Sequence, residues 1–144
     1  MTDDTPFDLQ DFLPYLLNQA AEMSSLDFQR YYKARYGMLR TEWRVVFHLG
    51  HYGDMTAKEI CIRARIHKTK VSRAVSALEK RRFLTRTPLP DDRRHETLKL
   101  TAAGRAAFRD LYRAAQDFEA NLTAPFTDEE VATLRRCLVK IAKF

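Results

Sequence analysis

The sequence predicts a mainly α-helical chain interrupted by one small β-hairpin. Three observations carry that expectation. Apolar residues recur at helical spacing over most of the 144 residues. Alternation appears only in "FLTRTPLPDDRRHETLKL", where Leu98 and Leu100 alternate with Thr97 and Lys99 around "PDD". Helix-start signatures stand at Thr56, Thr101 and Thr127, each ahead of an apolar-periodic run.

Taken in order, Phe12, Leu16, Ala20, Met23, Phe28, Tyr31 and Tyr32 form the first helical stripe. Pro14 is tolerable only in a first turn, so this helix is expected to start near Phe12, and Gly37 to end it. A second helix is expected over Thr41–Leu49, closed by "GHYGD". Thr56 and Glu59 have capping-box spacing and open a short helix to about Ala64. The stretch "HKTKVSRAVSALEKRRFL" follows. With Val71 at zero, Ala74, Val75 and Leu78 lie within about 60° of it at about 100° per residue. Thr69, Arg73, Ser76 and Lys80 lie on the opposite side. After the hairpin, Thr101 caps a long helix bearing Phe108, Leu111, Tyr112, Ala115, Phe118 and Leu122. Pro125 interrupts, and "TDEE" opens a last helix with Val131, Leu134, Leu138 and Ile141.

An apolar content of 45% argues against a disordered chain, and the length suits one domain. No run of eighteen apolar residues spans a membrane, and the acidic N-terminus is the reverse of a secretion signal, so a cytoplasmic protein is expected. Cys61 and Cys137 make no disulfide framework and no CxxC pair. The four glycines fall in no phosphate-binding pattern, and Asp91-Asp92 on a turn is no catalytic pair, so enzyme chemistry is not expected. No metal or cofactor is expected either. His48 and His51 have no further ligand at zinc spacing, and a buried Cys61 thiol would be inert.

Charge is divided unevenly. Thr56 to Arg105 holds 14 Lys and Arg against 5 Asp and Glu, while the remainder holds 11 against 14. Such a central cationic block attracts a polyanion, most simply nucleic acid. A short capped helix, a turn, then a helix basic on its outer face is the pattern of a helix-turn-helix. Small Ser72, Ser76 and Ala77 allow close approach to base edges in the major groove. Lys68, Lys70 and Arg73 can reach phosphates or guanine acceptors, and Thr69 and Ser76 can donate to either. The hairpin tip adds Arg93 and Arg94, narrow cationic probes suited to a minor groove, with Asp92 placed to hold Arg94 extended. A merely solvated basic surface is the competing reading.

The stretches "TEWRVVFHL", "TAKEICIRARIHKTKVSRAVSALEKRRFLTR" and "PDDRRHETLKLTAAGR" together resemble the MarR family of winged helix-turn-helix bacterial regulators. The resemblance covers nearly the whole chain, although Arg65 stands where many such turns carry glycine. It implies a homodimer with interlocked terminal helices. Residues 1–36 and 106–144 are then expected to form a dimerisation region and residues 37–105 a winged helix-turn-helix, in one continuous domain. Exposure of Leu13, Leu16, Leu17, Leu134, Leu138 and Ile141 would independently call for a second chain. The expected function is that of a sequence-specific regulator, most simply a repressor on a palindromic double-stranded site. A non-specific nucleic-acid binder or protein-interaction winged helix is the alternative.

The resemblance also implies release by a small, often aromatic and anionic, effector. Arg44 and His48 beside Trp43, with Tyr36 nearby, are the candidate receptor. Their engagement in ordinary structural contacts is the competing account.

Overall fold

A computed structural model describes residues 6–92 and 94–144. A 3-10 turn at Leu9–Asp11 precedes α1 (Leu13–Tyr36). Pro14 does sit in the first turn of α1, where its missing N–H costs nothing, and Gly37 ends the helix at φ 63°. Then come α2 (Arg40–Tyr52), β1 (Met55–Thr56), α3 (Ala57–Ala64), α4 (Lys68–Lys80), β2 (Leu84–Pro88), β3 (Glu96–Leu100), α5 (Ala102–Thr123) and α6 (Asp128–Ala142). The chain is thus mainly α with a small antiparallel sheet, in the winged helix-turn-helix arrangement.

The second helix runs beyond the expected stop at Leu49, through Gly50 to Tyr52, and Gly53 ends it. Gly50 is there for packing: a Cβ would come within 2.4 Å of the Phe108 ring, so its bareness lets α5 lie close against α2. At the other end, the buried Glu42 carboxylate accepts the Leu39 N–H and caps the helix.

The expected two-stranded hairpin is a three-stranded sheet in the order β1-β3-β2. Met55 pairs with Leu98 and Thr56 with Thr97. Leu84 faces Leu100 across the hairpin, and Arg86 faces Leu98. Thr56 has two duties, since its hydroxyl accepts the Glu59 N–H (3.2 Å) as N-cap of α3. Only this half of the expected reciprocal cap forms. At α6 both halves form, Thr127 and Glu130 each satisfying the other's N–H at 3.1 Å.

One core lies under the helix-turn-helix. Tyr32, Val45, Val46, Leu49, Ile60, Val71, Val75, Leu78, Leu84, Leu98 and Leu111 are buried in it. The apolar stripe of α4 therefore seats that helix, as its spacing requires. The outlying helices differ. Leu13, Leu16 and Met23 on α1 are exposed, as are Leu134, Leu138 and Ile141 on α6, while Leu17 is half-buried. No residue of α6 is buried. No helix is long and apolar enough to cross a membrane among the described residues.

Candidate nucleic-acid interface

Helix α4 begins at His67, whose Nδ1 accepts the Thr69 N–H at 3.1 Å. The preceding turn is made by Arg65 at φ 54°, ψ 46°. A left-handed conformation disfavours a side chain, so arginine here costs about 1 kcal/mol relative to glycine. Its guanidinium is put to use: it donates to the carbonyls of Ala142 and, at 2.9 Å, Lys143, and lies 4.7 Å from the Phe144 ring. The turn thus keeps its geometry without glycine.

Lys68, Thr69, Lys70, Ser72, Arg73 and Ser76 are all exposed, on the side of α4 away from the core. The hydroxyl of Ser76 accepts a bond from Arg86 Nη2 on β2 at 3.1 Å. Arg86 also lies 3.2 Å from Glu79 and 3.7 Å from Glu96. It therefore spans the recognition helix and both strands of the wing. Sequence reasoning missed it, because its partners lie on two other elements. The only trace was Glu79, the single acid between His67 and Arg82.

At the wing tip, Asp92 Oδ1 accepts both the backbone N–H (3.1 Å) and Nε (3.2 Å) of Arg94. The backbone bond, followed by the side-chain bond, holds the Asp92 carboxyl below its ordinary range. Arg94 is pinned at its root while its side chain stays 89% exposed. Arg93 lies outside the described residues. Lys68 and Ser72 on α4, with Arg86 and Arg94 on the wing, line one cleft of about 650 Å³. The structure thus brings the recognition helix and the wing arginine to one cationic, concave face.

The candidate effector residues are not gathered in this way. Trp43 packs edge-on against Phe28 (5.2 Å) and Phe47 (4.9 Å). His48 Nδ1 pairs with the Arg44 carbonyl at 2.7 Å. Tyr36 faces Phe83, and its hydroxyl donates to Asp110 at 2.6 Å. Asp110 also accepts from Tyr31 and pairs with Arg35 at 3.0 Å. The Tyr36 bond comes first among the causes that lower its carboxyl. Sequence reading passed over Asp110, which ties α1 to α5. Cys61 is half-buried and Cys137 exposed. No cluster of three or more His, Cys, Asp or Glu is placed to hold a metal among the described residues.

Fold and cationic face define the class: a winged helix-turn-helix protein of the DNA-binding, transcription-regulating kind. Residues 36–95, from the end of α1 to the wing tip, match the model of the MarR family. Over that stretch the chain is similar to the MarR family. It is similar to the HTH-type transcriptional regulator YwoH of Bacillus subtilis (strain 168), 27% identical over 95 residues, 66% of this chain and 69% of that protein. Among solved structures it superposes on Bordetella bronchiseptica BpsR with a TM-score of 0.87 at 19% identity, covering 96% and 99% of the two chains. The BpsR structure concerns regulation of DNA binding by 6-hydroxynicotinic acid. It also superposes on a MarR variant from E. coli complexed with operator DNA, with a TM-score of 0.77 at 23% identity over 94% and 99%.

Proposed function

We propose that this regulator acts as a homodimer on a near-palindromic duplex, most simply as a repressor. The observation that carries the reading is the shared face of α4 and the wing. Lys68, Thr69, Lys70, Ser72, Arg73 and Ser76 are proposed for the major groove, and Arg94, with Arg93 beside it, for the minor groove. Asp92 serves as the positioning acid, because its two bonds to Arg94 stop that side chain from collapsing onto the wing. The likeness to the operator-bound E. coli structure supports this reading.

Dimerisation is supported by the exposed apolar residues of α1 and α6, which a second chain would cover. Residues 1–36 and 106–144 are proposed as that dimerisation region and residues 37–105 as the reading unit. Two-fold symmetry then spaces the half-sites by about 34 Å, one duplex turn. A small anionic aromatic effector is proposed by analogy with the ligand-regulated relative. For Arg44, His48, Trp43 and Tyr36 to receive it, Tyr36 would have to leave Asp110.

Selection of bound duplexes from a random pool tests the reading. A palindromic sequence bound ~10³-fold or more above random DNA at physiological salt supports it. Equal binding to all duplexes would leave a coating protein, and no binding an interaction module. Within the same assay, Arg94→Ala should weaken binding at unchanged dimer mass, and normal affinity would remove the wing from the mechanism.

A further inference from the structure

Among the described cations of this face, Arg86 is the one least free to meet a phosphate. Two carboxylates hold its guanidinium: Glu79 from the recognition helix at 3.2 Å and Glu96 from β3 at 3.7 Å. Its side chain is 32% exposed, against 89% for Arg94. Its third nitrogen, Nη2, donates to Ser76, at 3.1 Å from the hydroxyl oxygen. Ser76 and Glu79 stand three residues apart on α4, so one guanidinium reads one ridge of that helix.

The bond has a direction. Arginine only donates, so Ser76 is the acceptor, and its hydroxyl proton is turned away from Arg86. A cation 3.1 Å from that oxygen also repels a second donor and polarises the O–H. Ser76, otherwise able to donate or accept, is thereby committed to donating outward.

Resting on the proposed DNA-reading role of α4, we propose that Arg86 is a specificity-determining residue that acts through Ser76. By fixing the hydroxyl as a donor, it selects bases that present an acceptor in the major groove. Guanine offers O6 and N7, adenine N7 and thymine O4, whereas cytosine offers only its N4 donor. The base facing Ser76 is therefore any base but cytosine. Arg86 needs no contact with DNA for this effect; it is a positioning residue.

The test is duplex selection from a random pool by the full chain, its Arg86→Met and Ser76→Ala variants, and Arg86→Lys. The unaltered chain should deplete cytosine at one position of each half-site. Arg86→Met and Ser76→Ala should both relax that same position by about three- to tenfold, the range of one hydrogen bond, and leave the other positions alone. Arg86→Lys, which keeps charge and a donor, should retain part of the bias. An Arg86→Met profile equal to the original at every position overturns the proposal, as does a uniform loss over all sequences. Should Arg86→Met fail to fold by thermal melting, Ser76→Ala decides, and an unchanged profile there overturns it too. If the unaltered chain selects no duplex, the DNA-reading role itself fails and takes this inference with it. A normal palindrome with an unaltered Arg86→Met profile sinks the inference alone.

Discussion

Replacing Gly104 by alanine should be among the most damaging single-methyl additions to this chain. Gly104 lies in the first turn of α5, where a Cβ would stand 2.0 Å from the Phe83 carbonyl oxygen and 3.1 Å from Leu100 Cδ2. Relief needs a backbone shift of about an ångström or more, because the obstacle is main chain and cannot rotate away. That junction is pinned twice. Thr101 N–H donates to the same Phe83 oxygen at 3.0 Å, and the Thr101 hydroxyl donates to the Arg82 carbonyl at 2.7 Å. Overpacking costs about 1–3 kcal/mol, and the two bonds contribute about 1 kcal/mol each. The better helix propensity of alanine returns about 1 kcal/mol. A net loss of roughly 2–4 kcal/mol follows, or about 5–15 °C in Tm for a chain of this size. Thermal and urea unfolding of both proteins at one fixed concentration, to hold any dimer linkage constant, measures it. A loss under about 0.5 kcal/mol would refute the claimed contact between the start of α5 and the Arg82–Phe83 backbone.

Other outcomes follow from the same reasoning. Asp110 has its carboxyl lowered from an ordinary value of 3.8 by the Tyr36 and Tyr31 hydroxyls and Arg35, so its stabilisation is full above that value and fades as pH falls through the lowered one. Asp110→Asn should therefore lose stability at neutral pH and converge on the original protein in acid; parallel stability curves from pH 7 to 2 would exclude this. Leu134→Glu with Leu138→Glu should leave the helical spectrum intact while reducing the proposed dimer to monomer mass in sedimentation, and a dimer mass retained in the variant would take the proposed interface off α6. Arg73→Ala should cost about 1–3 kcal/mol at one operator position if it reads guanine, whereas a uniform loss in the same titration marks a phosphate contact.

Helices were legible because their signals are local. The hydroxyl caps at Thr56, Thr101 and Thr127 are all in place, and the Val71, Val75 and Leu78 stripe is buried. What was not legible depends on partners distant in sequence. Strand β1 has two residues, too few for alternation to show. Gly50 reads as a helix stop until Phe108 is seen against it. Of the site, the exposure of the α4 residues and the Asp92–Arg94 bond were readable from spacing. Arg86 was not, because the acids that neutralise it sit seven residues before and ten after it. Arg44 and His48 share a helical strip as expected, but spacing on one helix gives no account of the groups that Trp43 and Tyr36 meet on other helices.

Thr56 belongs at once to the sheet and to the start of α3. A single residue thus rivets the hairpin to the helix pair, and no linker separates them. Whatever tilts the sheet at that residue also tilts the start of α3.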